Sequence, residues 1–296
     1  MALQPNIAPL RYFLYRLIQE NGSEPTVQWI TQQREKLTTH YADRTFHLAF
    51  GTAARFASKN TISLSEAQQQ EIQKLRAGFQ PEHWSVAQTV RAYLLLLLPH
   101  NDPAPYLSTL SRLLETASVD EQIAVYAALP LLPQPKLLVP LAINGLRTNI
   151  TRVFDAVALH NPFPADYFPD EAWNQMVLKA IFMERPLYPI YALDSRANAP
   201  LARMLVDFAH ERWAAGRPVT PELWRLVTPF LDASHRSDLE RVIHSDQPWE
   251  QAAGVLACSQ SKVPSLASLL KDLDGATESE GVIWDNIGYQ YSLNKS

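Results

Sequence analysis

The sequence has little cysteine, glycine or charge. Cys258 is the only cysteine in 296 residues, so neither an internal disulfide nor a thiolate metal cluster can form. Charged residues make up 19% of the chain and the net charge is −4, which gives no bulk attraction to nucleic acid or anionic lipid. Because 47% of the residues are hydrophobic, the chain has ample material for a folded core.

A membrane-spanning stretch and a targeting signal are also lacking. The longest apolar run, residues 92–99, is less than half the roughly 20 residues that a spanning helix needs. We interpret it as a buried core helix with Arg91 in its first turn; a hairpin resting on or in a membrane is the alternative. Arg11 and Arg16 interrupt the N-terminal segment, so no signal peptide is predicted. We therefore expect a cytoplasmic protein, with peripheral attachment to the inner membrane as a second option.

The nine glycines and 22 prolines favour helices over sheets. No Asn-Gly or Asp-Gly pair joins two alternating runs, as a tight β-hairpin would require. Prolines instead separate segments of helical periodicity. Helix starts are predicted at Ser63 and Ser118, which have capping-box spacing to Glu66 and Glu121, and at Asp102 and Thr220, which each precede a proline.

An internal similarity suggests how the helices are arranged. Residues 110–129 align without gaps on residues 239–258, an offset of 129 that equals three repeats of about 43. The fold class we predict is all-α: a helical-repeat array of the HEAT or armadillo type, built from short antiparallel helix pairs with an irregular middle section rich in proline and aromatic residues. We expect one domain over residues 1–275, with a C-terminal tail or lid at 276–296.

Motifs with a known chemical mechanism are missing. No glycine spacing matches a phosphate-binding loop, and no G-x-S-x-G nucleophile motif occurs. None of the eight histidines has a second histidine four residues away, as a helical metal site needs. His210-Glu211 begins like a zinc-peptidase motif, but Ala214 stands where the second histidine belongs. The sequence therefore predicts no catalytic residue, no metal and no cofactor.

The informative stretch is 146–216, where two segments rich in proline and aromatic residues, 161–169 and 185–191, bracket a helix at 170–184. That helix is apolar on most sides, which predicts burial, and Gln175 and Lys179 form its one polar strip. A buried Lys179 would need an acidic partner or a ligand anion.

Other polar residues of this stretch lie on or beside apolar helix faces. On a helix at 199–215, Arg212 falls on the apolar face, as an inter-helix clamp or as a donor to a ligand. On a helix at 146–160, Asn149 and His160 flank the core face, where a lone histidine is usually just hydrogen-bonded.

Taken together, these polar and aromatic residues have the composition of a small-molecule pocket, with apolar walls and a few oriented polar groups. The pocket predicted from the residues alone is formed by Asn149, His160, Asn161, Trp173, Gln175, Lys179 and Arg212. We expect it to bind an aromatic or amphipathic metabolite.

The same stretch resembles a known family. The segments GLRTN (145–149), HNPFP (160–164), WNQMVLK (173–179) and DFAHERWAAGR (207–217) resemble the EboA-domain family of bacterial proteins. The resemblance implies a role in moving small metabolite precursors out of the cytoplasm, as with an indole-phenolic sunscreen precursor in cyanobacteria. It also implies partners from the same gene cluster, including a prenyltransferase-like membrane protein. It adds Arg147, Asn174 and His210 to the candidate ligand-binding residues and assigns no catalytic residue.

Three functions follow as hypotheses. The first is a non-enzymatic helical-repeat protein that assists the trafficking of a small aromatic precursor by binding it or its partner proteins. The second is an enzyme that modifies this metabolite, with Lys179, His160 or His210 as acid or base. The third is a pure protein–protein scaffold, which would expose an apolar patch instead of a cavity.

Overall fold

The computed structural model describes residues 5–272 and 283–294, and this part of the chain is all-helical. It contains no β-strand apart from an isolated antiparallel bridge between Thr61 and Ser85. The chain divides into two compact units, Met1–Phe168 and Pro169–Ser296, which are described separately below as the first and second units. The all-α prediction is therefore confirmed, whereas the regular array of helix pairs stays a prediction.

The first unit contains ten α-helices within its described residues. They are α1 (Ile7–Asn21), α2 (Glu24–Thr39), α3 (Asp43–Phe56), α4 (Glu66–Leu75), α5 (Val86–Leu95), α6 (Pro103–Thr116), α7 (Val119–Ala128), α8 (Pro135–Gly145), α9 (Thr151–Ala158) and α10 (Phe163–Tyr167). Helix α5 lies at the centre and packs against α1, α3 and α7. The leucines at 94–98, which end α5 and form the turn after it, are all buried, as expected for a core segment. Among the described residues, no helix has the length and apolar character needed to cross a membrane.

Local capping signals locate several helix starts. Ser118 and Glu121 form the predicted capping box at the start of α7, and Asp102 accepts a hydrogen bond from the Ala104 N–H at α6. The prediction for Ser63 was wrong, since the capping box of α4 is formed two residues later by Ser65 and Gln68. The backbone N–H of Ser63 instead donates to the Asn21 side chain at 2.7 Å, a long-range contact that local spacing does not reveal.

The second unit has seven α-helices in its described part. They are α11 (Asp170–Phe182), α12 (Ala199–Ala214), α13 (Leu223–Val227), α14 (Arg236–Ile243), α15 (Pro248–Gln260), α16 (Pro264–Ala267) and α17 (Trp284–Leu293). Helix α12 packs against α11 and α13, and α15 packs against α13, α14 and α17. Both segments of the internal similarity are helix–turn–helix, α6–α7 in the first unit and α14–α15 in the second.

The irregular middle section differs in detail from the sequence interpretation. The helix expected at 146–160 is shorter, because Ile150 is extended and α9 begins only at Thr151. Residues 147 and 149 therefore lie in a turn and not on a helix. The predicted break at 161–169 contains a five-residue helix, α10, in which prolines occupy positions that need no N–H donor.

The C-terminal tail includes an ordered helix. In α17 the side chain of Ile287 is fully buried, and the indole N–H of Trp284 donates to Gln260 on α15 at 3.0 Å. This agrees with the sequence, in which Trp284, Ile287 and Tyr291 have helical spacing. The remainder of the predicted tail segment, residues 276–282 and 295–296, lies outside the described residues.

Candidate functional site

Helices α11 and α12 of the second unit form a groove, which we call the outer groove. Gln175, Leu178, Lys179 and Phe182 line it from α11, at spacings of three and four residues that place them on one helix face. Phe208, Glu211 and Arg212 line it from α12, and Arg217 follows in the next loop. The groove has a volume of about 510 Å³.

The outer groove combines aromatic rings with positive charge. Phe182 is 75% exposed there, which is unusual for a phenylalanine at the end of a packed helix. Three cationic side chains, Lys179, Arg212 and Arg217, face one carboxylate, Glu211. The prediction that α11 is buried on most sides was therefore wrong for its second apolar side, which lines a groove.

Arg212 is held by the loop that follows its own helix. Its Nε donates to the Pro218 carbonyl at 3.0 Å, and its Nη2 lies 3.9 Å from Glu184 Oε1. The loop turns back because Gly216 ends α12 with a φ of +65°, a left-handed conformation that glycine adopts without strain. The Arg212 side chain is 25% exposed and lines the groove.

A second cavity of the same unit adjoins the outer groove, and we call it the Glu222 pocket. It has a volume of about 320 Å³ and shares Phe182, Phe208 and Arg212 with the outer groove. Arg185 and the loop residue Glu222 line it on one side, and α17 lines it on the other. The two cavities therefore offer a ligand one continuous set of rings and charges.

Glu222 is the buried acid of this pocket, with an exposed fraction of 1%. Its Oε2 accepts a hydrogen bond from the Leu187 N–H at 2.8 Å. Burial raises the pKa of Glu222 to about 7, although the Leu187 and Tyr188 amides and Arg225 act to lower it. Asp285 on α17 raises the pKa further. Near neutral pH the carboxyl is therefore close to half protonated.

The first unit has a separate cleft of about 390 Å³ around His160. His160 Nδ1 lies 2.7 Å from Gln80 Oε1, and its ring centroid lies 3.9 Å from that of His83. Burial, together with the charge of His83, lowers the pKa of His160 to about 4, so the imidazole is neutral at physiological pH. The hydrogen bond to Gln80 agrees with the interpretation of His160 as a hydrogen-bonded residue at the edge of the core.

Comparison with known proteins identifies the family. The family model described as metabolite traffic protein EboA matches residues 10–228, about three quarters of the chain. The chain belongs to the EboA family. No curated protein and no solved structure matches it. The match to the EboA family includes α11, α12 and Glu222 and extends well beyond the motifs at 145–217.

In this EboA-family protein, four of the predicted ligand-binding residues lie in the first unit. Arg147 and Asn149 are exposed in the turn between α8 and α9, whereas His160 lines the cleft. Asn161 is 3% exposed, and its amide bonds the backbone of three residues, Tyr126, Ala156 and Phe163. The amide of Asn161 therefore holds the backbone of the segment between α9 and α10.

The other six predicted residues lie in the second unit, and the outer groove brings three of them together: Gln175, Lys179 and Arg212. Trp173 is fully buried in the core. Asn174 exchanges two hydrogen bonds, of 2.8 and 3.1 Å, with Asn198, the N-cap of α12. His210 Nε2 lies 2.8 Å from Asp238 on the exposed surface.

Sequence reasoning missed Phe182, Phe208 and Glu222 as cavity residues. Both phenylalanines lie on apolar faces of their helices, where the sequence does not distinguish a core from a groove wall. Nothing local marks Glu222, since a glutamate after a proline usually sits exposed in a first helical turn. The available signal was Gly288, a glycine within a helical apolar pattern, which indicates close approach of another group. Among the described residues, no group of histidine, cysteine or carboxylate side chains is arranged to hold a metal ion.

Proposed function

We propose that this EboA-family protein binds a small acidic aromatic metabolite in the outer groove and assists its trafficking without altering it chemically. The observation that carries the proposal is the pairing of the Phe182 and Phe208 rings with Lys179 and Arg212 in one groove. The name of the family, metabolite traffic protein, supports a transport role.

The rings of the groove bind the aromatic part of the ligand, and its cations bind the carboxylate. An aromatic ligand gains about 0.5–1.5 kcal/mol from an oriented ring pair beyond the apolar area that it buries. A carboxylate gains charge-assisted hydrogen bonds from a guanidinium, each worth about 1.5–3 kcal/mol. Because the groove is open, a ligand can enter and leave, as trafficking requires.

The second function, acid–base catalysis, has weaker support in the geometry. Of its three candidate acids and bases, only Lys179 lines the outer groove, since His210 pairs with Asp238 and His160 lies in the cleft of the first unit. We further propose that the protein is cytoplasmic and passes its ligand to other products of the same gene cluster, such as a prenyltransferase-like membrane protein. The exposed ring of Phe182 fits ligand binding better than a pure scaffold, because Lys179, Arg212 and Arg217 line the same groove.

The proposal is tested with indole-3-propionate, which carries one aromatic ring system and one carboxylate. We expect isothermal titration calorimetry to detect its binding, and Lys179→Met and Arg212→Met each to weaken it about tenfold or more, since each removes a charge-assisted contact. Thermal unfolding should show that both variants remain folded.

The matched control is Arg203→Met. Arg203 is an exposed arginine of α12, nine residues before Arg212 and therefore on the opposite helix face. Its loss should leave the affinity unchanged. Indole-3-propionamide, in which a neutral amide replaces the carboxylate, should bind more weakly than indole-3-propionate. Absence of binding by the wild-type chain, or equal losses in all three variants, would refute the proposal.

A further inference from the structure

One oxygen of Glu222 lacks a hydrogen-bond partner. Oε2 accepts from the Leu187 N–H, but Oε1 is buried with no donor among the described residues. A buried acceptor without a donor has lost its bonds to water and gained none in return. Such a group, when it lines a cavity, is a strong indication that a ligand supplies the missing donor.

The oxygen lies beside a position that has no side chain. A Cβ added at Gly288 on α17 would lie 2.3 Å from Glu222 Oε1. Both residues line the Glu222 pocket. Since glycine has no Cβ, the Glu222 carboxyl can pack directly against the backbone of α17, and this contact holds Oε1 at the wall of the pocket.

The arginine whose charge acts on Glu222 is held by other carboxylates. Arg225 is engaged by two carboxylates, Asp194 and Asp285, so its charge is already balanced. The other titratable groups that line the pocket are Glu184, Arg185, Arg212 and Tyr291. Arg212 and the two phenylalanine rings belong to both cavities, so a ligand carboxylate at Arg212 is close to the pocket that Glu222 lines.

We propose that Glu222 Oε1 accepts a hydrogen bond from an ammonium group of the ligand, so that the site takes aromatic amino acids or closely related amphoteric molecules. The carboxylate of the ligand binds Arg212, its ammonium binds Glu222, and its ring lies against Phe182 and Phe208. This inference rests on the proposed function, because it names the chemical class of the same ligand.

The test compares two probes that differ only in the ammonium group, L-tryptophan and indole-3-propionate. We expect the wild-type chain to bind L-tryptophan about tenfold or more tightly, because the ammonium satisfies a buried carboxylate. In Glu222→Gln, which keeps the shape but removes the charge, the preference should fall below about threefold. Thermal unfolding of Glu222→Gln controls for folding.

Proton release gives a second readout that needs no variant. Since the pKa of Glu222 is about 7, binding of an ammonium at pH 7 should displace about half a proton from this carboxyl. Calorimetry in buffers of different ionisation enthalpy measures this number. Binding of L-tryptophan should release about half a proton from the wild-type chain, and binding of indole-3-propionate should release none.

The outcomes separate this inference from the proposed function. If the wild-type chain binds both probes equally, or if Glu222→Gln keeps the preference for L-tryptophan, Glu222 is not the ammonium site, while the groove still binds acidic aromatic molecules. If the chain binds neither probe, both proposals are wrong. Preference for L-tryptophan with proton release, both lost in Glu222→Gln, supports both.

Discussion

Among the residues that the structure describes, each compact unit buries one acidic or basic side chain almost completely, Arg91 in the first and Glu222 in the second. Arg91 is 4% exposed and has a partner in three directions. Its Nε donates to the Phe50 carbonyl at 3.2 Å, its Nη2 lies 3.4 Å from Glu121 Oε1, and its guanidinium lies 5.6 Å from the Phe50 ring centroid. Glu222, with 1% exposure, leaves one oxygen unbonded.

The difference separates a structural charge from a functional one. Burial lowers the pKa of Arg91, but an arginine stays protonated at any physiological pH, so its charge must be compensated permanently. The Glu222 carboxyl can lose its charge by taking up a proton near neutral pH. Because Glu222 lines a cavity and has one unbonded oxygen, a proton or a ligand can compensate its negative charge.

The largest effect that this comparison predicts is for Arg91→Met. The substitution keeps most of the apolar contact but leaves the Glu121 carboxylate, whose side chain is 15% exposed, without its cation. We expect a loss of about 3–5 kcal/mol in the free energy of unfolding, measured by urea denaturation, since breaking a buried pair leaves an uncompensated charge.

Arg112→Met is the matched control for this loss. Arg112 pairs with Asp43 in the same unit, but the two side chains are 54% and 43% exposed. Exposed pairs contribute about 0–1 kcal/mol, so this variant should be nearly as stable as the wild type. Equal losses for the two variants would contradict the structural role assigned to Arg91.

The second prediction concerns the pH dependence that Glu222 gives to the stability. Folding raises its pKa from the usual 4.5 to about 7, so the folded state favours the protonated carboxyl. The stability is therefore undiminished below pH 4.5 and falls as the pH rises towards 7. Since each pKa unit corresponds to 1.36 kcal/mol, the decrease is about 3 kcal/mol.

Glu222→Gln removes this titration, whereas a substitution of Arg91 should not. Urea denaturation at pH 5 and pH 8 should show that the variant gains on the wild type at the higher pH. Arg91→Met should keep the pH dependence of the wild type, because Arg91 does not titrate in this range. A Glu222→Gln variant with the same pH dependence as the wild type would show that the carboxyl is not the titrating group.

How far the sequence predicts the structure depends on how far apart the interacting residues are along the chain. The all-α fold and the capping box at Ser118 follow from neighbours along one helix, and so does the placement of Gln175 with Lys179 on one face of α11. The contact of Ser63 with Asn21 and the approach of Gly288 to Glu222 join distant segments. Periodicity carries no information about such contacts, so it could not predict the Glu222 pocket. The start of α4 is different, since Ser65 and Gln68 also have capping-box spacing in the sequence and local pattern alone does not choose between this pair and Ser63 with Glu66.

The smallest effect is predicted for Asn161→Ala, which extends the comparison to an uncharged group. Asn161 is partnered throughout, since it donates to the Tyr126 and Ala156 carbonyls at 3.1 and 2.9 Å and accepts from the Phe163 N–H at 2.9 Å. We expect a loss of about 1–3 kcal/mol in the free energy of unfolding, because buried backbone groups lose their partner. Asn149→Ala, at an exposed turn, should change it by less than about 0.5 kcal/mol. If Asn161→Ala instead left stability unchanged and abolished binding of indole-3-propionate, Asn161 would be a ligand contact, and the unit of Arg91 would contain a binding site as well.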